Sequence, residues 1–205
     1  YTLDGDAPTP KTPVYRGPMT LRKSVTIRAL AVSQEGQKSL PVEAKFTRIP
    51  KNRKITLGSA YAGQYAAGGD LALIDFLRGG ENFKTGRWQG YEGVDLVATV
   101  DLGAVQPVKS VSLGCLQDQG AWIFMPEAVT FEVSENGKDF TPAATVRNDV
   151  DERHQGSVVK EFTCKPGSGK VRYIRVIAKN RGVCPEWHLG AGGKAWIFAD
   201  EITIE

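Results

Sequence analysis

FEVSENGKDF, Phe131 to Phe140, decides the fold. Phe131, Val133 and then a polar break alternate with Glu132 and Ser134, which is the period of a half-buried strand. Asn136-Gly137 follows at once. Both residues tolerate positive φ, so the pair marks a tight hairpin-type turn. A second strand pattern, FTPAATV, begins at Phe140. Working outward, the same alternation recurs at 25–32 (VTIRALAV), 42–46 (VEAKF), 96–102 (LVATVDL), 108–113 (VKSVSL), 129–134 (VTFEVS), 158–162 (VVKEF) and 172–177 (RYIRVI). A further strand is expected from Ile55. Asp101-Leu102-Gly103 is expected to end a strand, glycine permitting the reversal. Helical periodicity is confined to 69–78 (GDLALIDFLR), one or two turns. Short strands between turns predict an all-β chain of sandwich or barrel type.

The chain has 205 residues, one or two domains' worth. At 41% hydrophobic and 24% charged it fits a soluble globular protein and excludes disorder. The net charge of +3 is too small for a dedicated nucleic-acid binder. No apolar run is long enough for a transmembrane helix. Tyr1 is followed by no charged-then-apolar leader, so a signal peptide is absent or removed. Residues 1–50 carry 8 basic and 4 acidic side chains, residues 51–205 carry 18 and 19. Phe46 ends a strand pattern and the polar RIPKNRK follows, which places a domain boundary near residue 50. About 50 residues are few for an independent core, whereas about 155 are ample.

Enzyme signatures are missing. The sequence holds no GxSxG, HExxH or P-loop. His154 lies in a polar loop. Cys184 and His188 stand four apart, but cysteine-histidine sites draw on distant segments. Asp151-Glu152 and Asp200-Glu201 are adjacent, and strand neighbours point to opposite faces, so neither makes an acid/base pair. Cys115 alternates with Val111 and Leu113 and reads as a buried thiol. With Cys164 and Cys184 the count is odd, so at least one thiol is free or paired outside the chain.

The tryptophans carry more information. Trp122 in QDQGAWIFMP and Trp187 in PEWHLGAGG sit among glycines and polar residues; Trp88 and Trp196 read as caps on the core. An indole on a loop needs a cover, and the apolar face of a pyranose supplies one while polar neighbours bind its hydroxyls. Gln117, Asp118 and Gln119 flank Trp122, and His188 flanks Trp187. Tyr61, Tyr65 and Tyr91 are further loop aromatics. IDFLRGGENFKTGRW offers Asp75, Asn82, Thr85 and loop carbonyls to a hard cation.

At these residues the sequence becomes specific. Residues 51–205 resemble a discoidin, or coagulation-factor type C, domain of the family 32 carbohydrate-binding kind. The match runs through Asp75 and the Thr85-x-x-Trp88 pattern, VDLG at 100–103, FEVSENGKDF, RYIRV at 172–176 and DEI at 200–202. Residues 1–50 resemble the Ig-like chitobiase/β-hexosaminidase C-terminal domain through YTLDGDAPTP, VYRGPMTL and VTIRALAV, entered part-way because its preceding strands are absent. Together the two resemble the ends of Bacteroides-type β-N-acetylhexosaminidases. The resemblance implies a jelly-roll-like sandwich of eight antiparallel core strands and a structural Ca2+ held by Asp75, Thr85 and Glu201. It implies glycan binding by loops 59–69, 89–93, 117–125 and 181–196, with terminal galactose or N-acetylhexosamine as ligand. The expected contacts are Trp122, Trp187, His188, Asp118, Gln117, Gln119 and Tyr91. It further implies a non-catalytic piece of a bacterial glycoside hydrolase, secreted, periplasmic or on the outer surface, with the catalytic domain as its partner. The rival expectation is a packing role, in which Trp122, Phe124 and Met125 form an exposed apolar interface.

Overall fold

The computed structural model describes residues 1–167 and 169–205. It divides at the expected boundary into Tyr1–Pro50 and Lys51–Glu205. The first unit holds β1 (Val25–Ala29) and β2 (Val42–Phe46), paired antiparallel. Single bridges at Thr2 and Asp4 lie on β1. Val25 is its one buried large apolar side chain among the described residues, and every residue of β2 is exposed.

The second unit is a sandwich of two antiparallel sheets. One has the order β3-β5-β10-β7-β8, the other β4-β11-β6-β9. The strands are β3 (Lys54–Leu57), β4 (Gln89–Glu92), β5 (Leu96–Pro107), β6 (Val111–Asp118), β7 (Ala128–Ser134), β8 (Thr141–Arg147), β9 (Ser157–Cys164), β10 (Lys170–Ala178) and β11 (Trp196–Ile204). Alternation fills the space between them. Leu96, Ala98, Val100 and Leu102 of β5 face Val111, Leu113 and Cys115 of β6 through one core that also takes Phe131, Phe162, Ile174 and Ile197. All three cysteines are buried and free.

The turn after β7 forms as its residues require. Gly137 has φ 74°, and Asn136 Oδ1 accepts from the backbone N–H groups of Lys138 and Asp139. Gly103 behaves otherwise than expected. Its φ of 82° does not end β5, which runs on to Pro107; the register against β10 slips between Val171 and Tyr173, so the glycine makes a bulge. The helical pattern at 69–78 yields only a 3-10 turn, Ala72–Ile74, whose buried residues pack against β11. Among the described residues no helix is long and apolar enough to cross a membrane.

A second bulge matters for chemistry. The β11 register against β6 shifts between Ala199 and Ile202, so the inward set changes from Ile197 and Ala199 to Ile202 and Ile204. Asp200 and Glu201 therefore do not project to opposite faces. Both reach the same loop: Asp200 Oδ2 accepts from Gly79 N, and Glu201 Oε2 from Phe76 N.

Candidate functional site

One end of the sandwich gathers the long loops. Leu57 pairs with Ala98, Ala178 with Leu96 and with Val129, Trp196 with Glu92 and Asp118 with Ser157. The segments 58–71, 93–95, 119–127, 148–156 and 179–195 all leave from that end. Asn180 ties the β4–β5 turn to both ends of segment 179–195. It is 5% exposed, and its Nδ2 donates to the carbonyls of Tyr91, Val94 and Ala195 at 3.3, 3.1 and 3.2 Å. Its Oδ1 accepts from Gly182 N at 2.8 Å. No sequence pattern singled it out, because its acceptors lie at the β4–β5 turn and at the far end of its own loop.

Trp122 stands at the tip of this end. Asp118 and Ile123 exchange backbone bonds of 3.0 and 3.1 Å, closing a tight turn. Within it Trp122 takes φ 65°, ψ 14°, a left-handed conformation that costs a non-glycine residue energy. The indole then lies on two glycines of the 184–195 loop. A Cβ at Gly190 would stand 2.5 Å from its Cε2, and one at Gly193 2.8 Å from its Cζ3. Only glycine admits so close a seat. The residue stays 40% exposed, with no protein partner for its indole N–H among the described residues. Asp118 and Gln119 flank it, both half-buried. One Asp118 oxygen accepts from the Ser157 hydroxyl at 3.2 Å, leaving the other without a protein donor.

The remaining expected contacts are placed differently. Tyr91 is fully buried, its hydroxyl donating to Gln89 Oε1 at 2.6 Å. Burial pushes its phenol far above the usual range. Gln117 is also fully buried; its amide donates to Asp151 O at 2.7 Å and accepts from Met125 N at 3.4 Å. His188 is 7% exposed and uses both ring nitrogens within the protein. Gly190 N donates to Nδ1 at 3.0 Å, so Nε2 carries the proton and faces Gln119 O at 2.7 Å. It braces the two loops that hold Trp122. Trp187 is half-buried and edge-on to Phe124 and His188, with the Arg153 guanidinium over one face at 4.8 Å. Its N–H donates to Glu152 at 3.0 Å, and Arg181 binds the same carboxylate at 2.9 Å. Arg181 holds the Glu152 carboxyl below its usual range. Phe124 and Met125 are buried, at 2% and 4% exposure, which removes them from the apolar interface expected of a packing role.

The acidic groups meet where β11 packs against the loop of residues 75–80. Glu201 is 1% exposed, and Oε1 is buried without a partner. Burial pushes its carboxyl up to about 8, against the hydrogen bond from Phe76, with Asp75 and Asp200 adding to the rise. Burial likewise raises Asp75, whose carboxylate accepts from Leu77 N. Asp200 is met by Arg78, which also reaches Glu161 at 2.6 Å. The orphaned Glu201 oxygen beside Asp75 fits a hard cation. Thr85 is exposed on the turn Phe83–Thr85. Among the described residues no three His, Cys, Asp or Glu side chains form a metal site, so carbonyls and water would have to complete the shell.

Fold and site thus define a two-sheet β-sandwich that presents a loop-borne aromatic platform at one end. The chain belongs to the F5/8 type C domain family, whose model matches residues 54–196. Residues 1–43 match the chitobiase/β-hexosaminidase C-terminal domain. No curated protein sequence matches the chain. Solved structures similar to it include a Clostridium perfringens module in complex with GalNAc-β-1,3-galactose, at 22% identity and TM-score 0.48, covering 76% of this chain and 97% of the other. A family 32 module of C. perfringens in complex with galactose has 20% identity and TM-score 0.46, covering 76% and 96%. A chitosan-binding module from Paenibacillus sp. IK-5 has 17% identity and TM-score 0.45, covering 78% and 99%.

Proposed function

We propose that the Lys51–Glu205 unit is a glycan-binding module and that Trp122 is its platform. The observation that carries this reading is a tryptophan 40% exposed, in a left-handed backbone conformation, with its indole seated on Gly190 and Gly193. A flat apolar ring held rigidly at a loop tip suits the C–H face of a pyranose. Asp118 and Gln119 stand where they can bind its hydroxyls. Terminal galactose or N-acetylhexosamine is the ligand class. A single shallow platform gives a weak site, with Kd about 1 mM or −4 kcal/mol. Tethering to a catalytic domain would raise the effective concentration of substrate. The match of residues 1–43 supports a glycoside hydrolase of chitobiase or β-hexosaminidase type as the parent, secreted or at a bacterial cell surface, in which this region is non-catalytic.

Calcium belongs to the same reading as a structural ion. Asp75 and Glu201 would hold it, with Thr85 and loop carbonyls completing the shell, and it would relieve the unpartnered Glu201 oxygen. A second role, packing on the parent's catalytic domain, draws on Leu189, wholly exposed next to Gly190. Intrinsic fluorescence separates the two. Titration with galactose or N-acetylglucosamine should shift emission in the wild type and not in Trp122→Ala. Silence from a folded wild type across both sugars refutes the platform and favours packing.

A further inference from the structure

The Tyr1–Pro50 unit carries a strand edge with no partner among the described residues. Its sheet is β1 paired with β2, with the bridges at Thr2 and Asp4 on the far side of β1. Register sets the faces. Val25 lies opposite Phe46, Ile27 opposite Ala44 and Ala29 opposite Val42, so one face is wholly apolar. Thr26 opposite Lys45 and Arg28 opposite Glu43 make the other face polar, and Arg28 binds Glu43 at 2.9 Å. Every residue of β2 is exposed, Val42 at 67% and Phe46 at 47%. Backbone direction follows from one bond. Thr2 N donates to Arg28 O at 2.9 Å, from the side of β1 away from β2. In an antiparallel ladder, successive residues point their N–H and C=O groups to opposite sides. Arg28 and Thr26 thus point away from β2, and Val25, Ile27 and Ala29 point toward it. Their partners Val42, Ala44 and Phe46 are engaged with β1. Glu43 and Lys45 therefore aim both backbone groups outward, off the open edge. Pro41, the next outward position, has no N–H, which ends the row of donors there.

We infer that this edge joins a second copy of the chain, β2 to β2 antiparallel, about a two-fold axis at Ala44. VEAKF is self-complementary in that register. Glu43 falls opposite Lys45 of the second copy, and Lys45 opposite its Glu43. These are the residues whose backbone groups point outward, so four backbone hydrogen bonds and two cross-strand ion pairs form together. Val42 falls opposite Phe46 of the second copy on the apolar face, as a closely spaced non-hydrogen-bonded pair. A shift of two residues sets Glu43 against Glu43 or Lys45 against Lys45, so charge selects the register. Lysine on an edge ordinarily keeps a further strand away; here each lysine meets a carboxylate. The contact is isologous and closes, which gives a dimer and not a fibre. Five residues a side make a weak contact, with Kd on the order of 0.1 mM. Where the Lys51–Glu205 units bind glycan, the dimer is bivalent; the association itself does not rest on that reading.

The test is sedimentation equilibrium of the whole chain from about 10 μM to about 1 mM. The wild type should pass from monomer to dimer. Lys45→Glu sets carboxylate against carboxylate and should weaken association about tenfold or more, as should Glu43→Lys, which sets ammonium against ammonium. Mixed in equal amounts, the two variants are complementary and should recover a dimer holding one of each. Amide hydrogen exchange on the wild type gives a readout that needs no variant. The Glu43 and Lys45 amides should slow as concentration rises, while those of Val42, Ala44 and Phe46, already bonded to β1, should not change. A wild type still monomeric at about 1 mM overturns the proposal. So does a dimer that Lys45→Glu leaves unchanged, or a pair of folded variants that stays monomeric when mixed. Slow exchange at Glu43 and Lys45 in the dilute monomer would mean that another segment already pairs this edge, and overturns it as well.

Discussion

Trp88 and Trp122 are built by the same device and end in opposite states. Each indole lies on glycine: a Cβ at Gly79 would overlap the Trp88 ring, as one at Gly190 would overlap that of Trp122. Trp88 is 1% exposed, its N–H donates to Gly80 O at 3.1 Å, and Leu116, Ile123 and Phe198 surround it. Trp122 is 40% exposed and its N–H has no protein partner among the described residues. The glycine seat thus says only that a ring is held close. What marks a binding surface is the ring face and donor left over once packing is complete.

Mutation should separate the two rings. Trp88→Ala empties a buried site and should cost about 3–5 kcal/mol. Urea denaturation would show this, and affinity per folded molecule should be unchanged. Trp122→Ala should weaken glycan binding about tenfold or more, equivalent to ~1.4 kcal/mol, with a much smaller loss of stability than Trp88→Ala. Gly190→Val should reproduce that binding loss, because its side chain cannot coexist with the indole in its present place. If Gly190→Val binds like the wild type, the seat is not what presents the ring.

Chelation should act on one side of the comparison only. Asp75 and the Gly79-Gly80 seat belong to the same loop, so chelating the proposed calcium with EDTA should lower Tm by a few degrees, about 1–2 kcal/mol for a unit of this size. A calorimetric scan with no shift on chelation, and none on adding calcium, would remove the ion from the account. Acid should distinguish neither ring. Arg172 binds Asp101 at 2.9 Å between β5 and β10 and holds its carboxyl below the usual value near 3.8. A depressed carboxylate stabilises the fold above its unfolded pKa, and this is lost as pH falls through the lower folded value. The pair is partly exposed, so Asp101→Asn should remove about 1 kcal/mol or less at pH 7 and nothing once the carboxyl is protonated in both states. Denaturation midpoints at pH 7 and pH 2.5 would check the difference.

The sheets were legible because their cause is local. Period-two runs predicted the cores of β1, β2, β5, β7, β9 and β10, and Asn136-Gly137 predicted the turn before β8. β6 was caught only at its start, since SVSLGCLQ is buried on both faces and loses its alternation. The exposed ring was legible in part. A tryptophan among glycines and polar residues picked out Trp122, but the same cue picked Trp187, whose face Arg153 covers. Tyr91 looked like a loop residue between two glycines; pairing of β4 with β11 turns it inward. His188 resembled a hydroxyl ligand because its two partners, Gln119 O and Gly190 N, become visible only when the 119 and 190 loops meet. The shared side of Asp200 and Glu201 depends on a bulge in β11 that no local pattern marks.

The central claim is that Trp122 is a sugar platform. The most direct measurement is a glycan array on the full chain beside Trp122→Ala, both shown folded by circular dichroism. The account predicts binding to glycans ending in galactose or N-acetylhexosamine that disappears in the variant. Wild-type binding that survives unchanged in Trp122→Ala, or a folded wild type that binds nothing on the array, would contradict it.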